Sequence, residues 1–480
     1  MKNLKLIAVL LALSTFSLSS SPARAEVSES VLHYGAPFGD LTLYVPEGKP
    51  RAVVLFLSGD GGWHLGVVSM ARHLAEQHAL VVGLDVRRYL ADIAAHPSPC
   101  RYLAADFETL SHYVQRALKL TDYHVPLLYG YSSGATVAYA TLVQSPPGTF
   151  GAAVSLGFCP DQKFGGTPLC PGPEKQLSYK PGKKNAWVFD PAPQLKDRWI
   201  AFQGEKDQVC PAAAVDVYAK QVGGARVVSL AGVGHGYGDE KKWLPQYLQL
   251  FDELAPVEQA VRADDVRDLP LVEIPAAQNA AELPLAIVLS GDGGWAGLDK
   301  GIAAEFAARG LPVVGLSTLK YYWNARTPEE SARDIERVMQ HYLVAWKRTR
   351  VLLVGYSFGA NVLPFIFNRL DADARAQVAG IGMLGLDFNT SFEIRVSGWV
   401  PGSSSGDLPV RPEIDKLQGV PAVCLYGEGE SHDPCAQLAG PAMSAREIGK
   451  GHHFSGDYAA LAEAVLAGTG VRVAAPHPSQ

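Results

Sequence analysis

The sequence predicts an α/β protein of two tandem domains, each a mostly parallel sheet flanked by helices. Three observations lead there. The residues LSGDGGW occur twice, at Leu57–Trp63 and Leu289–Trp295; each copy precedes a serine framed as GYSxG, at Gly130–Gly134 and Gly355–Gly359; and short apolar runs alternate with helical patterns in both halves. A repeat of this length marks two versions of one structural unit. The alternation is the pattern of a sheet covered by helices on both faces.

The elements follow in matching order. In the first half, Ala52–Leu57 runs into the glycine turn, Val67–His78 has helical spacing, and Leu80–Leu84 is the next strand. The second half repeats this with Leu285–Leu289, Ile302–Arg309 and Pro312–Leu316. Strands buried on both faces read as continuous apolar runs rather than alternating ones. Asp106-Phe107-Glu108 then matches Asp334-Ile335-Glu336 at the front of an amphipathic helix, and VPLLYGYSSG matches RVLLVGYSFG. Longer loops in the first half, between Tyr89 and Asp106 and over Cys159–Gly182, are expected to cap a site.

The chain begins with Lys2, Lys5, the apolar run Leu6–Leu13 and Ala23-Arg24-Ala25, which reads as a secretory leader over residues 1–25. Its apolar core is shorter than the roughly 20 residues of a membrane span, and no later run is long enough. With no cysteine ahead of Cys100, an N-terminal lipid anchor is not expected. Domains are expected over 26–269 and 270–470, joined by the charged and Pro-rich stretch Pro256–Pro284, with a disordered tail over 471–480. A net charge of −6 leaves no basic stripe for nucleic acid. Six cysteines in an exported chain suggest disulfides, Cys159 with Cys170 and Cys424 with Cys435, leaving Cys100 and Cys210.

GxSxG is weak alone; a buried-type strand before it and a helical run after it, Ala135–Val143 or Ala360–Asn368, give it meaning as a nucleophile elbow. A serine hydroxyl is a poor nucleophile, so a histidine must take its proton and an acid must hold the histidine. In the chain order serine, acid, histidine, the first half supplies Ser132, Asp207 and His235. The second supplies Ser357, His452 and one of two acids. Asp433 is favoured because aspartate is the commoner triad acid, and Glu430 is the alternative. LSGDGGW falls where a backbone loop would line an oxyanion hole: Gly291 and Asp292 with the N–H of Phe358 in the second half, and the N–H of Ser133 in the first. Trp63 and Trp295 read as packing residues. Neither histidines nor cysteines fall in ligand spacings, so no metal or organic cofactor is expected.

SGDGGW, GLSTLKYYWNARTPEE at Gly315–Glu330, GYSFGANVLPF at Gly355–Phe365, YGEGE and GHHFSGDY at Gly451–Tyr458 together resemble the VirJ/AcvB family of bacterial virulence proteins. The resemblance covers most of the second half, and the two-part layout is similar to the AcvB type. It implies tandem α/β-hydrolase-like domains in the periplasm, peripheral to the inner membrane and without a transmembrane span. It also implies a serine esterase that removes lysine or alanine from aminoacyl-phosphatidylglycerol, with an aminoacylated phospholipid headgroup as partner. Ser357 and His452 carry over as nucleophile and base. Alternatives are an esterase of other specificity, or a non-catalytic partner in a secretion or envelope assembly that uses the fold as a scaffold.

Overall fold

The runs Ala52–Leu57, Ala79–Leu84 and Trp199–Gly204 are buried at every residue, as strands covered on both faces must be. The computed structural model describes residues 26–172, 174–255, 266–276, 282–394, 406–430 and 434–473. In it these runs belong to an eight-stranded sheet ordered Val27–Gly35, Gly39–Pro46, Ala79–Leu84, Ala52–Leu57, Leu127–Tyr131, Ala152–Leu156, Trp199–Gly204 and Ala225–Leu230. The first two form an antiparallel hairpin at one edge, and the rest run parallel. The second half forms a seven-stranded sheet, ordered Leu271–Ile274, Val313–Leu316, Leu285–Leu289, Val351–Tyr356, Val378–Leu384, Ala422–Glu428 and Ser444–Lys450. Only its first strand is antiparallel. The fold is therefore the expected pair of α/β units. In both, the strand entering LSGDGGW lies between the strand that follows it and the strand that ends at the serine.

Helices close both faces. Ser133–Gln144, behind the first serine, is buried along its whole length, and Phe358–Arg369 takes its place in the second unit. Pro328–Ala345 starts at a capping box: Glu330 N–H donates to Thr327 Oγ1 at 3.1 Å, and Thr327 N–H to Glu330 Oε2 at 2.7 Å. The RTPEE string thus starts a helix. Val266 and Leu269 already pack in the second unit's core, and Arg337 pairs with Asp268 at 2.8 Å. At the other end Val471 and Val473 pack on that unit. The leader, the linker residues 256–265 and 277–281, and residues 474–480 lie outside the described residues.

The cysteine pairing differs from expectation in the first unit. Cys100 bonds Cys170 and Cys159 bonds Cys210, whereas Cys424–Cys435 is as expected. Sequence proximity favoured Cys159 with Cys170, but the fold folds the two long loops against each other. Cys100–Cys170 ties those loops together, and Arg101 N–H donates to Pro168 O at 2.8 Å beside it. Cys159, just past the strand Ala152–Leu156, faces Cys210 in the loop after the adjacent strand Trp199–Gly204.

The two units meet at the KYYW segment, which the first half lacks. Trp323 is fully buried; its Nε1 donates to Leu120 O at 3.0 Å and its ring packs on Tyr123 at 5.0 Å. The guanidinium of Arg116 lies 4.0 Å from the Trp323 ring centre and hydrogen-bonds Ile394 O. Tyr123 belongs to the second unit's core although it lies in the first half of the chain. Trp323→Ala should therefore cost about 3–5 kcal/mol, the range for deleting a buried aromatic side chain. Urea unfolding of the full chain measures it, and a loss under about 1 kcal/mol would mean the ring does not hold this interface.

Candidate active site

Each serine sits where a strand buried on both faces becomes a helix within one residue. Ser132 has φ 53° and ψ −116°, and Ser357 has φ 50° and ψ −115°. A non-glycine residue holds this conformation only where packing over-determines it. The flanking glycines supply that packing. A Cβ on Gly355 would come within 2.5 Å of the backbone of Gly359, and one on Gly359 within 2.3 Å of Leu289 O. The same crossing occurs at Gly130 and Gly134.

In the first unit, a continuous relay runs from this serine. Ser132 Oγ lies 2.9 Å from His235 Nε2, and His235 Nδ1 lies 2.8 Å from Asp207 Oδ2. With Nδ1 protonated, Nε2 is the acceptor for the serine proton. The Asp207 side chain is fully buried and fully used: Oδ1 accepts from the N–H groups of Val209 at 2.9 Å and Cys210 at 2.8 Å, and Oδ2 also accepts from Gln203 Nε2 at 2.9 Å. Since Cys210 is bonded to Cys159, a disulfide anchors the loop that holds the acid. Asp207, Cys210 and His235 offer ligand atoms within 4.8 Å of one another. Cys210 Sγ is consumed in the disulfide, so the group is a poor fit for a metal ion.

In the second unit, Glu430 hydrogen-bonds His452 Nδ1. Burial opposes ionisation of Glu430, but the hydrogen bond and charge of His452 outweigh it and hold the carboxyl below its ordinary range. Glu430 was the less favoured of the two candidate acids; Asp433 lies outside the described residues. Ser357, His452, Gly291 and Asp292 all line one cavity of about 670 Å³. Gly291 lies against Ser357, because a Cβ there would be 3.6 Å from Ser357 Cβ. Phe358 opens its helix, so its N–H is among the donors a helix start leaves open, while Gly359 N–H is taken by Ser290 O at 3.1 Å. Ser133 opens the corresponding helix of the first unit. Trp63 and Trp295 pack as expected: a Cβ on Gly83 or Gly315 would come within 2.2 Å of the respective indole.

Sequence reasoning missed the tyrosine before each serine. Tyr131 Oη donates to His235 O at 3.0 Å and Tyr356 Oη to His452 O at 3.2 Å. Both hold the histidine-bearing loop. The signal was present, since GYS recurs in both copies. Tyr356 Oη also lies 3.1 Å from His453 Nδ1, which gives His453 a supporting position beside His452.

A family model described as "Bacterial virulence protein (VirJ)" matches residues 51–153 and 284–473. The matched segments take in Ser132, Ser357, Glu430 and His452 but not Asp207 or His235. No curated protein matches the chain. Among solved structures, Est1E from Butyrivibrio proteoclasticus is 13% identical over 47% of this chain and 98% of its own, with a TM-score of 0.31. An esterase domain from Rhodothermus marinus is 15% identical over 47% of this chain and 98% of its own, with a TM-score of 0.31. A dienelactone hydrolase from Anabaena variabilis is 17% identical over 48% of this chain and 96% of its own, with a TM-score of 0.33.

Two measurements check the geometry. Tyr356→Phe should slow any reaction at Ser357 by about tenfold, chiefly in kcat, as expected for a group that only positions the base; an equal loss confined to KM would contradict this role. Burial pushes Asp299, on the cavity wall, up to about 8. The folded state then keeps a proton that the unfolded chain releases, so stability should fall as pH rises from about 4 to about 8. Asp299→Asn should flatten that slope in a plot of Tm against pH.

Proposed function

The chain belongs to the bacterial virulence protein (VirJ) family, and on that premise we propose that it is a periplasmic serine esterase acting on aminoacyl-phosphatidylglycerol, with Ser357 as nucleophile. The carrying observation is that His452, hydrogen-bonded at Nδ1 by Glu430, lines the same cavity as a serine held at positive φ on an elbow. Disulfides support an exported protein, and among the described residues no helix is long and apolar enough to cross a membrane. The substrate is the part that the family resemblance supplies.

The reaction is acyl transfer. Ser357 Oγ attacks the ester carbonyl as its proton passes to His452, and the carbonyl oxygen gains charge beside Phe358 N–H and the Gly291–Gly293 loop. The bond from carbonyl carbon to the glycerol oxygen breaks, and His452 returns the proton to that oxygen. Water then enters by the same route and releases lysine or alanine, regenerating the serine. Glu430 keeps the imidazole oriented and stabilises its charged form.

A second reading is favoured by the unbroken Ser132–His235–Asp207 relay: the first unit is an esterase site of its own. A serine-directed fluorophosphonate probe on wild type, Ser132→Ala and Ser357→Ala separates the two. Labelling should fall in each variant, and none in any form would refute an esterase. With purified lysyl- or alanyl-phosphatidylglycerol, Ser357→Ala should release free amino acid at least about a thousandfold more slowly than wild type. Undiminished release by Ser357→Ala would assign the activity elsewhere.

A further inference from the structure

The cavity over Ser357 is not built by the second unit alone. Glu108, on the first unit's helix Leu103–Ala117, lines it together with Thr149 and Glu174, facing Asp292 and Asp299 of the second unit. Four acidic side chains thus meet on the wall of one cavity, and among the described residues that line it there is no lysine or arginine. Lys300 and Lys320 line an adjoining cavity that shares Glu108, Thr149, Gly293 and Gly294, and Lys300, within reach of the charge of Asp299, donates from Nζ to Pro147 O at 2.9 Å.

Two of these acids, Asp299 and Glu108, carry oxygens that no hydrogen bond within the described residues satisfies. Asp299 is 3% exposed and its Oδ1 has no hydrogen-bond partner. Glu108 forms neither a hydrogen bond nor an ion pair with another described residue. Burial pushes Glu108 up to about 7, and the charge of Asp292 adds to the rise. A half-desolvated acid aimed into open space retains a cost that a bound cation would offset. The helix carrying Glu108 is fixed by the docking of Arg116, near its end, on Trp323. Glu108 therefore reaches the cavity from a rigid mount.

We propose that this composite cavity binds a cationic group of the ester, an ammonium, and that Glu108, supplied by the first unit, is its specificity-determining carboxylate. This rests on the reading of Ser357 as the nucleophile facing the cavity. It also assigns the first unit a role in the second unit's selectivity, apart from any activity at Ser132.

The test is binding without turnover. Full-length protein carrying both Ser132→Ala and Ser357→Ala is titrated calorimetrically with lysine methyl ester and with its fully N-acetylated neutral counterpart. The cation should bind at least about tenfold more tightly, and adding Glu108→Gln should lower that ratio about tenfold, while Glu108→Asp keeps most of it. Glu174→Gln, on an exposed turn, should lower it less. Thr149→Lys, which puts the opposite charge on the same wall, serves as an independent check should Glu108→Gln fail to fold, and must lower the ratio too. Equal affinities for the two esters, or a ratio that neither Glu108→Gln nor Thr149→Lys moves, overturns the proposal. Absence of hydrolysis in wild type with the ratio intact would refute the esterase reading and leave the cation site standing.

Discussion

At Ser132 and Ser357 a strand buried on both faces turns into a helix within a single residue, and the backbones cross so closely that no side chain fits on either flanking glycine. This steric contact fixes much else. It forces the serine to positive φ, lifts its hydroxyl clear of the sheet, and sets the helix start behind it with open N–H groups. It also sets where the glycine turn of LSGDGGW must lie, since Gly359 packs directly on the backbone of Leu289 and Ser290. The duplicated heptapeptide is thus one side of a contact whose other side is the duplicated serine motif.

Around that shared contact the units hold their acids differently. Asp207 is enclosed, with its lone pairs taken by two backbone N–H groups, Gln203 and His235, and a disulfide pins its loop to the neighbouring strand end. Glu430 reaches its histidine with a longer side chain from a loop bridged by Cys424–Cys435. An aspartate in a closed loop and a glutamate in a more open one are two solutions to the same requirement, a carboxylate on His Nδ1. In both units a tyrosine holds the histidine's own carbonyl, so the imidazole is fixed at its ring and at its backbone.

The segment that most distinguishes the second half, KYYWNARTPEE, turns out to be structural. Its tryptophan fills the junction between units and its Thr-Pro-Glu-Glu string starts a helix. By seating Arg116 and Tyr123 it orients the first unit's helix so that Glu108 lines the second unit's cavity. A packing constraint far from Ser357 therefore shapes the electrostatics beside it. That coupling makes the cavity wall of the two-unit chain different from what the second unit alone would build.

The sequence alone determined the duplication, the α/β class, the strands flanking both elbows, and the serine and histidine of each candidate site. These are legible because burial on both faces, the steric need for glycine and the serine–acid–histidine order all leave local marks. Tertiary structure decided which carboxylate is seen on His452, how Cys100, Cys159, Cys170 and Cys210 pair, and that Glu108 lines the cavity over Ser357. Those choices depend on which loops meet in space. Residues as far apart as Glu108 and Ser357 carry no periodicity or spacing that links them, and only the packing of one unit on the other brings them to the same cavity.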